Sequence, residues 1–405
     1  MSPLASADTA WRIDLPSEAA TAALAARVAQ WIGRDDLIAL SGDLGAAKTT
    51  FARALIRHLT GDARLEAPSP TFSLMQVYEG PGYNIVHADF YRIRTPDELF
   101  NLGWEEATED ALTLVEWPDR AGDLLNPDRL EIAFDLDTSR GSDYRSATLR
   151  GHGAWAARLA WLRAIGAILE RAGWSEAERV FMQGDASVRA YERLVAASGE
   201  TAILMISPPR PDGPILRYGK PYGAIAKLAD DIRAFIAMDQ ALRAQGVSAP
   251  RIIAHSVADG LAVLEDLGAQ YIADADGPNP VRYADAVSLL AELHSRKLPT
   301  QLPIDDETYT IPIYDCEAML VEVEQILDWY APHVARVSPA SGARAQFLGL
   351  WREALAPILA QPISWTLRDF HSPNLHWLPG RDGLKRLGLV DFQDSVLGPP
   401  AYDLA

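Results

Sequence analysis

Cysteine is nearly absent from this chain. Cys316 stands alone in 405 residues, so no internal disulfide can close and no multi-cysteine metal site can form. No apolar run is long enough for a bilayer either. The most apolar stretch, residues 154–174, is interrupted by Arg158, Arg163, Glu170 and Arg171, charges that cost too much in lipid. Its large residues, Trp155, Leu159, Leu162, Ile165 and Leu169, instead trace the stripe of an amphipathic helix. Residues 1–8 lack the basic start and apolar segment of a secretory signal. Cationic charge is also short. The net charge is −18, and residues 1–150 hold 14 Lys+Arg against 24 Asp+Glu, a balance of −10 that leaves −8 for the rest. Neither half has a surplus to neutralise nucleic-acid phosphates, so RNA, if involved, is held by a partner. No two histidines have zinc-protease spacing and no Gly-x-Ser-x-Gly elbow occurs. A soluble, cytoplasmic chain without membrane contact is expected.

With 405 residues, 48% hydrophobic and 23% charged, the chain has the size and composition for two ordinary globular domains. Two phosphate-handling motifs lie about 320 residues apart. The first is Gly42-Asp43-Leu44-Gly45-Ala46-Ala47-Lys48-Thr49-Thr50, between the apolar run Leu37–Leu40 and a helical pattern. It reads as a P-loop. The backbone of Gly42, Gly45, Ala46, Ala47 and Thr50 would cradle phosphates at a helix N-terminus, Lys48 would meet their charge, and the Thr49 hydroxyl would bind magnesium. Ala47 departs from the pattern, which wants glycine there. If that position needs a left-handed backbone, alanine costs on the order of 1 kcal/mol.

Strand signals at 37–40, 73–78, 84–88, 111–115, 130–134 and 145–149, a helix from N-cap Ser17 to about Trp31, and helical patterns after Lys48 and Pro96 predict an α/β domain with a central sheet over residues 1–150. Asp89 ends one strand, where a carboxylate of a magnesium shell is wanted. Glu116-Trp117 ends another, and Ser69-Pro70-Thr71-Phe72 forms a loop. In this order the segments resemble the TsaE family, small P-loop ATPases of the machinery that makes threonylcarbamoyladenosine in tRNA. The resemblance implies ATP and Mg2+ as cofactors and transferase subunits of that complex as partners, with tRNA met only indirectly. It implies that Lys48 and Thr49 bind phosphate and magnesium, that Thr71, Asp89 and Glu116 complete the magnesium and hydrolysis site, and that Trp117 lies beside the nucleotide.

A break is expected at Arg150-Gly151-His152-Gly153, opening a second domain over residues 151–405. The second motif is Leu367-Arg368-Asp369-Phe370-His371-Ser372-Pro373-Asn374, followed by the apolar strand Leu387–Val390 and Asp391. Transfer of a phosphoryl group to a hydroxyl needs a carboxylate to orient and deprotonate the acceptor, an amide ligand for a metal and a second carboxylate for the metals. Asp369, Asn374 and Asp391 have the types and order for those three roles. Upstream come a small-residue turn (Gly184 to Ser187), strands 191–195 and 201–206, a helix around 224–243, and a strand running into the acidic turn Glu265-Asp266-Leu267. That order is the plan of a bilobal, protein-kinase-like fold. His294 is expected to pack against the catalytic loop; His371, inside it, could equally touch an acceptor.

These residues, with Gly398-Pro399-Pro400-Ala401-Tyr402-Asp403, resemble the aminoglycoside-phosphotransferase-like kinases, and among them the anomeric kinases of cell-wall recycling (the AmgK type). The resemblance implies Gly184, Ser187, Glu265 and Leu267 at the nucleotide, catalysis by Asp369 and a small amino sugar, N-acetylmuramate or N-acetylglucosamine, as substrate. Met205 sits where a strand lysine would hold phosphates, and Arg189 and Lys220 are both open as substitutes. Kinases of this class usually continue beyond the end of this sequence, so a C-terminally truncated domain with weak activity is expected. Two rivals stand beside this reading: a kinase of another small alcohol, and a non-catalytic protein that senses nucleotide and bridges partners.

Overall fold

The computed structural model describes residues 10–182, 189–210, 213–274 and 277–404. It divides into two compact units, residues 1–164 and 165–405. In the first, strands β1 (Trp11–Leu15), β2 (Leu37–Gly42), β3 (Met75–Glu79), β4 (Asn84–Asp89), β5 (Ala111–Glu116), β6 (Arg129–Leu136) and β7 (Arg145–His152) form one sheet. Their spatial order is β1-β7-β6-β2-β5-β4-β3. The central strands β6, β2, β5 and β4 run parallel, and β1, β7 and β3 are antiparallel to their neighbours. β2 is apolar at successive positions because both its faces are covered. Ile38 and Leu40 join a core with Phe51, Leu55 and Leu114, while Leu37 and Ala39 join another with Phe90 and Trp104. Helices α1 (Glu18–Ala29) and α2 (Lys48–Thr60) supply the first of these cores.

All the strands expected in this unit form, and β1 is added to them. The helix from Ser17 forms too: its side chain accepts the N–H of Ala20, and the helix ends at Ala29. After Pro96 the backbone makes a 3-10 turn, Pro96–Leu102, and only a short α3, Trp104–Thr108. The break expected at 150–153 falls partly within β7, where Gly151 pairs with Leu130 and His152 with Arg129. Gly151 is small for a packing reason. A Cβ there would collide with the Trp155 backbone at the start of α4 (Ala154–Ala172), and Trp155, Leu159 and Leu162 pack into the first unit's core.

The second unit holds a five-stranded antiparallel sheet, made of β8 (Glu178–Met182), β9 (Ala190–Val195), β10 (Thr201–Ile206) and two later strands. After β10 come a small hairpin, β11 (Ile215–Arg217) with β12 (Lys220–Pro221), and helices α5 (Tyr222–Ala226) and α6 (Ile232–Ala244). β13 (Ile252–Ser256) and β14 (Leu261–Glu265) complete the sheet in the order β13-β14-β10-β9-β8. The single helix expected around 224–243 is therefore two. Lys227 turns left-handed (φ 61°), and Asp231 restarts the helix by accepting the Arg233 N–H. Helices α7 (Pro280–His294), α8 (Cys316–Val323) and α9 (Ala343–Leu359) follow. One core runs from Met205 and Ile236 through Leu290 to Leu367, Leu389 and Phe392, so the catalytic segment is anchored on the same apolar body as the sheet. Among the described residues no helix is long and apolar enough to cross a membrane.

Candidate active sites

In the first unit the parallel register assembles the site. β4 and β5 pair Asp89 with Glu116, and β2 pairs Leu40 with Glu116, so both acids stand at the strand ends from which the P-loop departs. Ligands in sheets of this type bind outside the C-terminal ends of the parallel strands. Gly42 is required where β2 turns out (φ 126°), because a Cβ would run into the Phe134 carbonyl. Ala47 is left-handed (φ 92°, ψ 13°) as the N-cap of α2, and its carbonyl already takes the Phe51 N–H at 2.9 Å. The first N–H groups of that helix have no intrahelical partner and face whatever lies beyond the loop.

Lys48 is buried. Its Nζ donates to the Gly42 and Asp43 carbonyls at 2.7 and 2.9 Å and sits 4.0 Å from the Trp117 ring centre. Burial holds its pKa below the ordinary lysine value, against the pull of Glu116, Asp89 and Asp43. Thr49 Oγ1 donates to Glu116 Oε2 at 2.9 Å, and Thr71 Oγ1 donates to Asp89 Oδ2 at 2.7 Å. These residues share a cavity of about 470 Å³ with Gly45, Ala47, Thr50 and Trp117. Gly42 and Ala46 do not line it: Gly42 contributes a carbonyl to Lys48, and Ala46 is buried.

Three residues there had no role assigned from sequence. Ser69 also donates to Asp89, and Arg145 reaches the Gly45 carbonyl at 3.4 Å from β7. His87, fully buried on β4, holds Glu116 Oε1 at 3.0 Å through Nε2 and so fixes the carboxylate that Thr49 meets on its other oxygen. Strand alternation was the available signal for His87, since it shares a face with Asp89 two residues on.

In the second unit the catalytic loop leaves strand Ser364–Thr366, and a hairpin closes it. Strand Leu375–Trp377 pairs with Leu387–Leu389, and beyond that pairing Val390 donates its N–H to the Asn374 carbonyl at 3.1 Å. Asn374 Nδ2 donates to the Asp369 carbonyl at 3.0 Å. Asn374 is thus tied by its side chain to the Asp369 carbonyl and by its own carbonyl to Val390, the residue before Asp391. Arg368 (φ 69°) and Asp391 (φ 60°) are both left-handed; such strain persists where surrounding structure enforces it and concentrates at functional sites. Phe392 supports the site by stacking on Phe235 of α6, with ring centres 5.1 Å apart. Burial raises the Asp369 pKa, and Asp391 and Asp394 add to the rise, a shift toward the range of a working general base.

Asp391 Oδ1 accepts from Arg189 at 3.0 Å and from Gln393 at 2.9 Å. Lys220, the other candidate cation, is exposed on the β11–β12 hairpin. Met205 is fully buried in the core. His294 donates from Nε2 to the Trp365 carbonyl, 2.9 Å away, and burial lowers its pKa; it packs under the loop. His371 is exposed, 3.4 Å from Asn374 Nδ2. The Glu265 carboxylate is taken by Arg381 and by the Arg251 N–H, and its own backbone N–H donates to the Arg251 carbonyl at 2.9 Å. Gly184 and Ser187 lie outside the described residues. Asp403 was quoted from the sequence without a role; it accepts the backbone N–H groups of Leu367 and Arg368, each at 2.8 Å.

The donors gathered in both units are carboxylate, amide and hydroxyl oxygens, the set magnesium prefers. Among the described residues no group of three or more His, Cys, Asp or Glu could hold a metal by itself.

Comparison with known proteins follows the same division. Residues 15–144 match the family "Threonylcarbamoyl adenosine biosynthesis protein TsaE", and residues 179–405 match the "Phosphotransferase enzyme family". An N-acetylmuramate/N-acetylglucosamine kinase of Caulobacter vibrioides is 37% identical over 251 residues, which cover 59% of this chain and 69% of that protein. A tRNA threonylcarbamoyladenosine biosynthesis protein TsaE of Rickettsia typhi is 43% identical over 122 residues, 30% of this chain and 84% of that protein. Among solved structures, Bacillus subtilus YdiB is 26% identical with a TM-score of 0.32, covering 39% of this chain and 96% of that one.

Proposed function

The chain belongs to the TsaE family over residues 15–144 and to the phosphotransferase enzyme family over residues 179–405, and from that membership we propose two activities on one polypeptide. The first unit is an ATPase serving the tRNA threonylcarbamoyladenosine machinery. The second is an ATP-dependent kinase that phosphorylates the anomeric hydroxyl of N-acetylmuramate or N-acetylglucosamine. Both work in the cytoplasm, where ATP and tRNA are found. Of the limits 1–150 and 151–405, the first extends in this reading through β7 and into α4, whose Trp155, Leu159 and Leu162 pack in the first core, so that α4 is the connection.

The observation that carries the kinase reading is Asn374, which bonds the Asp369 carbonyl through its side chain and the Val390 N–H, next to Asp391, through its own carbonyl. Asp369 orients the sugar hydroxyl and takes its proton as the oxygen attacks the γ-phosphorus and the bond to the β-γ bridging oxygen breaks. Its raised pKa suits that task. Asn374 and Asp391 are the residues that would hold Mg2+. When bound with ATP, the ion offsets the negative charge of the β- and γ-phosphate oxygens. The choice of an amino sugar rests on the Caulobacter relative, 37% identical. The test is sugar 1-phosphate formation from ATP by the full chain, and its loss in Asp369→Asn.

In the first unit, Lys48 would meet the β- and γ-phosphates, and Thr49, Thr71, Asp89 and Glu116 would hold Mg2+ and orient water. Trp117, already against Lys48, offers a face to the nucleotide. The chain is acidic throughout, so the transferase subunits rather than this unit would hold the tRNA.

A further inference from the structure

The second unit has a phosphate-binding problem that its sheet does not solve. The β10 position that would carry an ammonium group is Met205, fully buried among apolar residues. Its register partner on β9 is Tyr191. Arg189 stands just before β9, two residues ahead of Tyr191. A small cavity joins Arg189 to Met205, Ser207 and Gln393. The guanidinium is largely buried and reaches Asp391 Oδ1 at 3.0 Å and Asp394 Oδ2 at 3.9 Å. The Tyr191 hydroxyl hydrogen-bonds to Arg189 as well, and burial raises its pKa, so that hydroxyl stays neutral.

Resting on the kinase reading, we propose that Arg189 is the phosphate-binding cation of the second unit and that Asp391 stores it in the nucleotide-free chain. The same carboxylate oxygen serves two cations in turn. Without nucleotide, Asp391 holds the guanidinium. With metal and nucleotide present, Asp391 turns to the metal and Arg189 is released to the phosphate oxygens, for which a guanidinium is well shaped. Asp394 keeps Arg189 close in both states, because the Ala229 N–H at 2.6 Å and Gln393 at 3.2 Å fix its carboxylate. Storage explains how a large cation is kept beside two carboxylates without a strand lysine: each charge offsets the others' burial.

The arrangement makes two binding effects of opposite sign. Full-length chain carrying Lys48→Ala, to silence the first unit's nucleotide site, is compared with the same chain carrying also Arg189→Met or Arg189→Lys. Mn2+ binding without nucleotide is followed by electron paramagnetic resonance, and ATP binding in EDTA by competition with a fluorescent ATP analogue. Arg189→Met should bind Mn2+ about tenfold more tightly, because Asp391 is freed, and ATP about tenfold more weakly. Arg189→Lys should recover most of the ATP affinity, and adding Asp391→Asn should abolish the gain in Mn2+ binding. Unchanged Mn2+ affinity overturns the storage role, and unchanged ATP affinity overturns the phosphate role. Failure of the kinase reading is seen separately: a chain with Arg189 intact that makes no sugar phosphate fails there, whereas one that makes it but shows neither binding effect loses only Arg189.

Discussion

Arg368 gives its backbone N–H to Asp403 Oδ1 at 2.8 Å, and the other oxygen of Asp403 takes the N–H of Leu367 at the same distance. The residue before the proposed catalytic Asp369 is therefore held in its left-handed conformation by a carboxylate 35 positions along the chain. The Arg368 side chain is fixed as well, by the Ala226 carbonyl at 2.9 Å and by Glu322 of α8.

Asp403→Ala should accordingly lose the two charge-assisted hydrogen bonds and leave two N–H groups unpaired, a destabilisation of about 2–4 kcal/mol. Because the loop carrying Asp369 is what loosens, sugar phosphorylation should fall in kcat far more than in the KM for ATP. Urea unfolding and steady-state kinetics check both halves. An equal loss in kcat and in ATP affinity would point to general unfolding instead.

Ala47→Gly should stabilise the first unit by on the order of 1 kcal/mol, since φ 92° strains alanine and not glycine. ATP affinity should hold or tighten, as a methyl is removed beside the phosphate cradle. Thermal unfolding of the full chain and a nucleotide titration measure the two effects. Weaker ATP binding in the glycine variant would contradict this reading of the loop.

Lys48→Ala should abolish nucleotide binding in the first unit, because Lys48 is the buried cation that the P-loop turn folds around, held by the Gly42 and Asp43 carbonyls. Sugar phosphorylation by the second unit should be unaffected. A parallel loss of both activities would mean the sites are not separate.

Asp239 of α6 is 1% exposed, and neither of its carboxyl oxygens has a hydrogen-bond partner among the described residues. Burial pushes its pKa up to about 7, with Arg243 opposing and Glu265 adding to the shift. The folded chain then keeps a proton that the unfolded chain has already lost. This group's contribution to stability is complete below about pH 4 and is lost as pH rises to 7, at up to about 1.4 kcal/mol per pH unit. Unfolding measured from pH 4 to 8 should show that decline, and Asp239→Asn should flatten it. Equal slopes for parent and variant would remove the assignment.

Much of this molecule was legible in its sequence, and the reasons are physical. The apolar run Leu37–Leu40 before a glycine turn could be read because a strand covered on both faces must be apolar at every position. Asp369, Asn374 and Asp391 could be proposed because phosphoryl transfer asks for those residue types in that order. The division of the expected helix at Lys227 could not, since Lys227 turns left-handed and a residue far along the chain, Asp394, takes the Ala229 N–H just beyond it. Gly151 looked like a linker, yet it is small to let Trp155 approach. The contact between Arg189 and Asp391 was also tertiary, 202 positions apart in the chain, and no local pattern announces it. Ala47 showed as a departure in the motif, but only its backbone angle gave the departure a cost.

The most direct test of the account is the transfer of labelled γ-phosphate from ATP to N-acetylmuramate and N-acetylglucosamine by the full 405-residue chain, beside Asp369→Asn. Sugar 1-phosphate is expected from the parent at a low rate and a fall to background in the variant, since general-base and positioning effects are lost together. Label on a 6-hydroxyl, or an Asp369→Asn rate equal to the parent's, would contradict it.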